Sequence, residues 1–186
     1  MRRFLIVYGT TDGHTAKVAA AVADRLRGSG AAVDVFNAGS TDPSPGPYDG
    51  VIVAASVHAH RYQRSVERWV RRWAAVLAGH RTLFLSVCLA TLQQDPAVQR
   101  DLAQIVERFS TRTGWRPGRV QQVAGALPYT RYGWLKRMMM VRISRSTGGA
   151  TDTSRDHEYT DWAALGASVD EFRAACAPAE PSHAVT

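Results

Sequence analysis

The sequence predicts an α/β fold in which one parallel sheet carries helices on both faces. Four short apolar runs, rich in β-branched or aromatic residues, are typical of strands buried on both faces; they span residues 4–8, 51–56, 82–87 and 120–126. A fifth run, residues 32–36, alternates more and is typical of an edge strand. Helical patterns separate these runs, and strands that alternate with helices form right-handed crossovers in a parallel sheet.

Each helical pattern is a stripe of apolar residues at three-and-four spacing. The first stripe follows Thr15 and stops near Gly28 and Gly30. The four stripes are Val18, Val22 and Leu26; Val66, Trp69, Val70, Trp73 and Leu77; Val98, Leu102, Ile105, Val106 and Phe109; and Trp162, Leu165, Val169 and Phe172. Five strands joined in this way match the doubly wound order 2-1-3-4-5, in which a ligand lies beyond the carboxyl ends of the strands.

The length of 186 residues predicts a single domain. We expect this domain to span residues 1–176, followed by a flexible C-terminal tail over residues 177–186. Residues 128–147, between the fifth strand and the last helix, are too many for an ordinary connection. We therefore expect an insertion there that is either functional or disordered.

Composition restricts the classes of function. Only two cysteines occur, Cys88 and Cys176, without a C-x-x-C motif, so neither a disulfide framework nor a metal site is predicted. The formal net charge is +7, but no nucleic-acid-binding module accompanies it, so no nucleic acid partner is expected. The N-terminal apolar run ends at Gly9 without a cleavage site, and no run approaches the roughly 20 apolar residues of a membrane span. These features predict a cytoplasmic protein.

The first strand leads into a turn rich in glycine and threonine, and then into a helix. The turn is Gly9-Thr10-Thr11-Asp12-Gly13-His14-Thr15. Backbone N–H groups at a helix start, threonine hydroxyls and the open backbone of a glycine together suit a phosphate. A hydroxyl-rich N-cap with a glycine turn fits the same residues. The position after the first strand favours the phosphate, and the turn matches neither the nucleoside triphosphatase nor the dinucleotide-binding pattern.

This monophosphate turn resembles the loop that holds FMN in flavodoxins, and the predicted fold is flavodoxin-like. The resemblance implies that the FMN phosphate is bound by Thr10, Thr11, Asp12, Gly13, His14 and Thr15. The flavodoxin pattern has a threonine where this chain has Asp12. Because a carboxylate repels a phosphate, we expect Asp12 to turn away and to cap backbone N–H groups.

Two further loops are expected to hold the flavin ring by stacking and by backbone hydrogen bonds. Tyr62, His58 and His60 are candidates to stack on the ring, although a solvated loop position is the more common role of a single histidine. Cys88 lacks the partners of a nucleophile and is predicted to be a small apolar residue at a strand end. The two loops contribute Ser56, Val57 and His58 after the third strand, and Val87, Cys88, Leu89 and Ala90 after the fourth.

The inserted stretch ends in the most specific motif of the chain, S-x-G-G-x-T-D-T over residues 146–153. Together with the phosphate loop that carries Asp12, this motif resembles the menaquinone-dependent protoporphyrinogen IX dehydrogenases, a flavodoxin-like family of haem biosynthesis. The resemblance spans nearly the whole chain. It implies an enzyme that uses FMN to remove hydrides from protoporphyrinogen IX and passes them to a membrane quinone. Because it requires no covalent catalysis, no catalytic residue is nominated.

The inserted stretch is also basic. Between Tyr129 and Arg145 it has five cations and no acid: Arg131, Lys136, Arg137, Arg142 and Arg145. We predict that Arg131, Trp134, Lys136 and Arg137 contact an anionic porphyrinogen, another small-molecule substrate or an acidic membrane face. A packed helix with solvated arginines is the alternative. Peripheral attachment to the cytoplasmic face of a membrane and assembly into a homo-oligomer both stay open.

Two other functions fit a flavodoxin-like fold. The first is an electron carrier that docks to redox partners; such carriers are typically acidic, and the net charge of +7 disfavours this role. The second is a flavin-dependent quinone reductase that a nicotinamide reduces. No second nucleotide motif in the sequence supports it.

Overall fold

A computed structural model describes residues 1–127 and 154–176 of the chain. Its centre is a parallel sheet of five strands: β1 (Arg3–Gly9), β2 (Ala32–Asn37), β3 (Gly50–Ser56), β4 (Arg81–Val87) and β5 (Arg119–Val123). The strand order is β2-β1-β3-β4-β5, and every neighbouring pair is parallel. The predicted flavodoxin-like fold is therefore confirmed.

The predicted stripes lie on four helices: α1 (His14–Gly28), α2 (Arg64–Leu77), α3 (Pro96–Thr113) and α4 (Trp162–Ala175). The stripes pack on the sheet, and only their edge members Trp73, Val98, Val106 and Trp162 are partly exposed. Two helices begin at a side-chain cap. The Asp95 carboxylate accepts from Ala97 N at 2.7 Å at the start of α3, and Asp161 accepts from Ala164 N at 2.9 Å at the start of α4.

The alternation of side chains along β1 divides the core into two layers. Phe4 and Ile6 face one layer, with α1 and α4, whereas Leu5 and Val7 face the other, with α2 and α3. Burying one such side chain completely stabilises the fold by about 1.5–3 kcal/mol. Because both faces of the sheet are covered, its loops, and not its faces, are left to bind a ligand.

The fifth strand differs from its prediction. The apolar run at residues 120–126 was expected to be a buried strand, but β5 ends at Val123 and is an edge strand. Val120 keeps 38% of its surface exposed. Two glutamines in the middle of the run fit an edge better than a buried position. Ala126 lies instead in a separate antiparallel pair of short strands, β6 (Ala126–Leu127) and β7 (His157–Glu158).

Several predictions lie outside the described residues. They concern the insertion at 128–147, with Arg131, Trp134, Lys136 and Arg137, the motif at 146–153, and the tail at 177–186. The proposed domain bounds accordingly stay predictions. Among the described residues, no helix combines the length and the apolar character that a membrane crossing needs.

Candidate functional site

A pocket of about 370 Å³ lies at the edge of the sheet where β1, β3 and β4 end. Doubly wound folds bind their ligands at this edge, and the volume is typical of a small-molecule site. Of the predicted cofactor residues, Thr11 and Gly13 are not in the pocket lining. The others line it together: Thr10, Asp12, His14, Thr15, Ser56, Val57, His58, Val87, Cys88, Leu89 and Ala90.

The turn after β1 leaves the start of α1 open to the pocket. Gly13 is the N-cap, with a left-handed φ of 91°, and as a glycine it brings no side chain of its own to cap the first turn. The Thr10 hydroxyl accepts from Gly13 N at 2.9 Å, which holds the turn together outside the helix. The N-cap of α1 is thus Gly13 and not one of the threonines, while the Thr10 hydroxyl accepts from a backbone N–H of the turn before it.

Gln63 joins the turn after β1 to the end of β3. Its amide donates to the Thr11 hydroxyl at 3.3 Å, and its carbonyl accepts from Ser56 N at 3.1 Å. A Cβ on Gly9 would stand 2.5 Å from Val66 Cγ2, so only glycine lets β1 approach α2 this closely. Thr11 thus belongs to the support of the loop. The sequence pattern did not single out Gln63, since a glutamine before a helix carries no signal of its own.

His14 extends the site to the chain segment before α4. Thr160 donates its hydroxyl proton to the Ala124 carbonyl at 2.8 Å, so the contact of 2.8 Å between His14 Nε2 and Thr160 Oγ1 is made by an Nε2–H donor. Burial lowers the pKa of His14, and the nearby Glu158 carboxylate opposes that shift. Glu158 also accepts from Lys17 Nζ at 2.6 Å. Neutral His14 therefore links the phosphate turn to residues that sequence reasoning missed.

The loop after β3 closes in a tight two-residue turn. His58 N donates to Arg61 O at 2.8 Å and Arg61 N donates to His58 O at 3.0 Å. The two residues between them, Ala59 and His60, have left-handed φ angles of 48° and 57°. Turns of this kind normally use Asn-Gly, because a Cβ is strained in that conformation. Both Ala59 and His60 line the pocket.

Tyr62 does not stack on a ligand, contrary to one of the sequence-based options. It is buried, packs edge-on against Phe84 and Phe109 with ring centroids 4.9 and 5.0 Å away, and contacts Ser86 Oγ through its hydroxyl at 2.8 Å. Cys88 is half-buried at the end of β4 and lines the pocket. Burial raises the pKa of its thiol, which suits a neutral packing residue more than a nucleophile.

One wall of the pocket comes from α3, which the sequence interpretation assigned only to the core. Leu102 and Ile105 are buried and also line the pocket, and Asp101 stands beside them. The same apolar stripe thus packs in the core and lines the pocket. Its spacing in the sequence indicates only the packing role. Gly125 and Ala126, after β5, complete the lining.

The fold and the pocket define a flavodoxin-type protein. Residues 5–154 match the flavodoxin domain family, whose members are flavin-binding proteins. Flavodoxin 1 of Bacillus cereus aligns with a TM-score of 0.55 at 14% identity and covers 92% of this chain and 97% of its own. An NADH:FMN oxidoreductase in its apo form gives a TM-score of 0.55 at 19% identity, over 98% and 93% of the two chains. At these identities the two structures support the fold alone.

Two relatives are closer in sequence. The protoporphyrinogen IX dehydrogenase [quinone] of Escherichia coli strain K12 is 33% identical over 159 residues, which are 85% of this chain and 87% of the relative. The protein of the same name from Leishmania major is 29% identical over 174 residues, or 91% and 74% of the two chains. The chain belongs to the protoporphyrinogen IX dehydrogenase [quinone] family of flavodoxin-domain proteins.

Proposed function

We propose that this protein binds FMN in the pocket and oxidises protoporphyrinogen IX with a quinone as the electron acceptor. The Escherichia coli relative named protoporphyrinogen IX dehydrogenase [quinone] matches 85% of the chain. Its name supports protoporphyrinogen IX as the substrate and a quinone as the acceptor. One structural observation supports the cofactor: α1 begins at the pocket with a glycine N-cap, Gly13, whose φ is 91° and which has no side chain in the way of a ligand.

A phosphate suits the turn at residues 10–15 because of the donors it meets there. The first backbone N–H groups of a helix have no partner within the helix, and the N-cap of α1, Gly13, has no side chain to take that place. The Thr10 hydroxyl accepts from Gly13 N and keeps its own hydrogen for a phosphate oxygen. Thr15, the second residue of α1, also lines the pocket. We keep the orientation of the Asp12 carboxylate, away from the phosphate, as part of this proposal.

The proposed place of the flavin ring is between residues 56–58 and 87–90. Leu102 and Ile105 give the pocket an apolar wall that excludes water. When bound, a flavin supplies the acceptor for a hydride from the substrate. The chain itself binds, orients and shields the reacting groups, and the neutral thiol of Cys88 offers no competing nucleophile.

The predicted contacts of the inserted stretch with the substrate and the membrane extend the same proposal. The cations Arg131, Lys136 and Arg137, with Trp134, are proposed to contact the propionates of the porphyrinogen or an anionic membrane face near the quinone. The protein would then attach peripherally to the cytoplasmic side of the membrane. A carrier function is the weaker candidate, because a net charge of +7 does not suit the basic reductases that acidic carriers meet.

A direct assay tests the proposal. Purified protein reconstituted with FMN is mixed anaerobically with protoporphyrinogen IX and a menaquinone analogue, and porphyrin fluorescence is followed. We expect porphyrin to form much faster than without protein, and only when both FMN and the quinone analogue are present. A rate equal to the protein-free rate, with FMN bound, would contradict the enzyme function and favour the carrier.

A further inference from the structure

A histidine and a carboxylate from two different elements meet in the lining of the pocket. His60 Nδ1, in the turn after β3, lies 3.3 Å from Asp101 Oδ2, on α3. Both residues line the pocket. The side chain of His60 is 70% exposed, so the imidazole is accessible from solvent at the pocket entrance. A molecule that enters the pocket from solvent meets this pair.

His60 has a strained, left-handed backbone conformation at this place. Its φ of 57°, beside an Ala59 φ of 48°, is a conformation that asparagine or glycine adopts more easily. Backbone strain of this kind clusters at active sites and ligand clamps, where the surrounding structure holds it in place. The side chain at position 60, and not the turn itself, is therefore the feature that needs an explanation.

The proposed reaction needs a proton acceptor. The first two-electron dehydrogenation of a porphyrinogen breaks one C–H bond, whose electron pair leaves with the hydrogen as hydride to the flavin. It also breaks one pyrrole N–H bond, whose electron pair stays and forms the new C=N double bond. The hydride ends, as an electron pair, on the quinone. The proton from the pyrrole nitrogen needs a separate acceptor.

We infer that His60 accepts this proton at Nε2 and that Asp101 positions its ring; the inference rests on the proposed function. A carboxylate beside Nδ1 favours the tautomer with hydrogen on Nδ1, which leaves the lone pair on Nε2. The carboxylate lies beside the ring when Nε2 takes the proton, in the arrangement of hydrolase triads. From the exposed side chain, the proton passes on to solvent.

The other ionisable groups around the pocket suit the task less well. His58 Nε2 is in contact with Ser56 Oγ at 3.2 Å, and His14 Nε2 donates to Thr160. The thiol of Cys88 is neutral and half-buried. Asp12 belongs to the turn after β1, which is proposed to hold the phosphate. Arg108, 3.7 Å from Asp101, is the cation that faces the pair from α3.

The test uses His60→Gly in the FMN-loaded protein. Glycine relieves the left-handed strain, so the variant should fold and should bind FMN with wild-type affinity, measured by quenching of flavin fluorescence. We expect porphyrin formation to fall at least tenfold, in line with the roughly 10²–10⁴-fold contribution of a general base. Added imidazole should restore much of the rate, since the exposed position leaves room beside Asp101.

His80→Gln is the matched control and should keep the wild-type rate. His80 lies in the turn before β4, at the end of the sheet opposite the pocket.

A second measurement needs no turnover. In protein labelled with ¹⁵N-histidine, the His60 signals should show hydrogen on Nδ1 and a lone pair on Nε2, and Asp101→Asn should reduce that preference. The inference is overturned if His60→Gly keeps the wild-type rate, if imidazole restores nothing, or if His60 carries its hydrogen on Nε2. In those cases the proposed function stands. A wild-type protein that forms no porphyrin overturns the proposed function, and this inference with it.

Discussion

Residues with a left-handed backbone mark both the ends of helices and the walls of the pocket. Gly30 and Gly114 follow α1 and α3, where such glycines commonly end a helix. Gly13 has the same conformation, with a φ of 91°, but it stands at the start of α1. Helix starts do not require this conformation, and it suits the proposed approach of a phosphate to the backbone.

Replacing Gly13 by alanine should weaken FMN binding. A Cβ in the left-handed region costs about 1–2 kcal/mol, which the turn relieves by moving its N–H groups. We expect the dissociation constant for FMN, from fluorescence titration, to rise about tenfold. Gly30→Ala is the control: its φ of 82° is similar, it has open space around it, and it lies in the turn between α1 and β2. If both variants bind FMN equally well, the phosphate does not lie at this turn.

Cys176 should make the fold less stable in alkaline solution. Burial raises the pKa of its thiol to about 11, from the ordinary value of 9.0. The folded state therefore keeps the proton longer, so stability is fully present below pH 9.0 and is lost as pH rises towards about 11. Because the residue is only half-buried, we expect a loss of about 0.5–1 kcal/mol at pH 10 relative to pH 8.

Urea unfolding of the wild type and of Cys176→Ala at the two pH values measures this effect. The difference between the two proteins removes the contribution of all other groups that titrate in the same range. The wild type should lose more free energy of unfolding than the variant. An equal loss in both would show that the thiol is solvated.

At the scale of elements, the sequence predicted what depends on periodicity. The strands, the four helices and their order follow from apolar patterns. The pattern failed where one residue serves two purposes: Leu102 and Ile105 belong to the core stripe and also form a pocket wall. It also failed where tertiary contacts decide, since Thr160 meets His14 across 146 positions of the chain. The sequence offers Tyr62 as a residue that stacks on the flavin, because it does not show that Phe84 and Phe109 surround the tyrosine ring.

The packing of α1 against α4 offers a test at this scale. Gly166 lies in α4, and a Cβ there would stand 2.8 Å from the Arg25 guanidinium of α1, which donates from Nε to Asp170 at 3.0 Å. Alanine in place of glycine normally stabilises a helix by about 1 kcal/mol. Gly166→Ala should gain little of this in the wild type, because Arg25 must leave Asp170. In an Arg25→Ala background the gain should reach about 1 kcal/mol in chemical denaturation. An equal gain in both backgrounds would show that Arg25 moves aside freely.

At the scale of the whole molecule, the strand order brings together loops that are distant in sequence. The turn after β1, the loop after β3 and the loop after β4 meet because these strands are neighbours in the sheet. Gln63 links two of the loops directly, through Thr11 and Ser56. The sequence could locate these loops through the fold, but the His60–Asp101 pair needed the actual path of α3.

The net charge of +7 should accelerate the encounter with an anionic substrate. Protoporphyrinogen carries two carboxylates, and charge steering is screened over about 8–10 Å at physiological salt. We expect kcat/KM to fall several-fold between low and high salt. The dimethyl ester of the substrate, which lacks the carboxylates, should show little salt dependence.

A pair of double variants separates the effect of total charge from that of a local contact. The first is Lys136→Glu/Arg137→Glu. The control is Arg81→Glu/Arg116→Glu, which changes the charge equally at the start of β4 and in the turn before β5, away from the pocket. If the inserted cations contact the carboxylates, the first variant should lose clearly more kcat/KM than the second at low salt, with FMN affinity unchanged in both. Equal losses would show that only the total charge matters, and that Lys136 and Arg137 belong to a solvated surface.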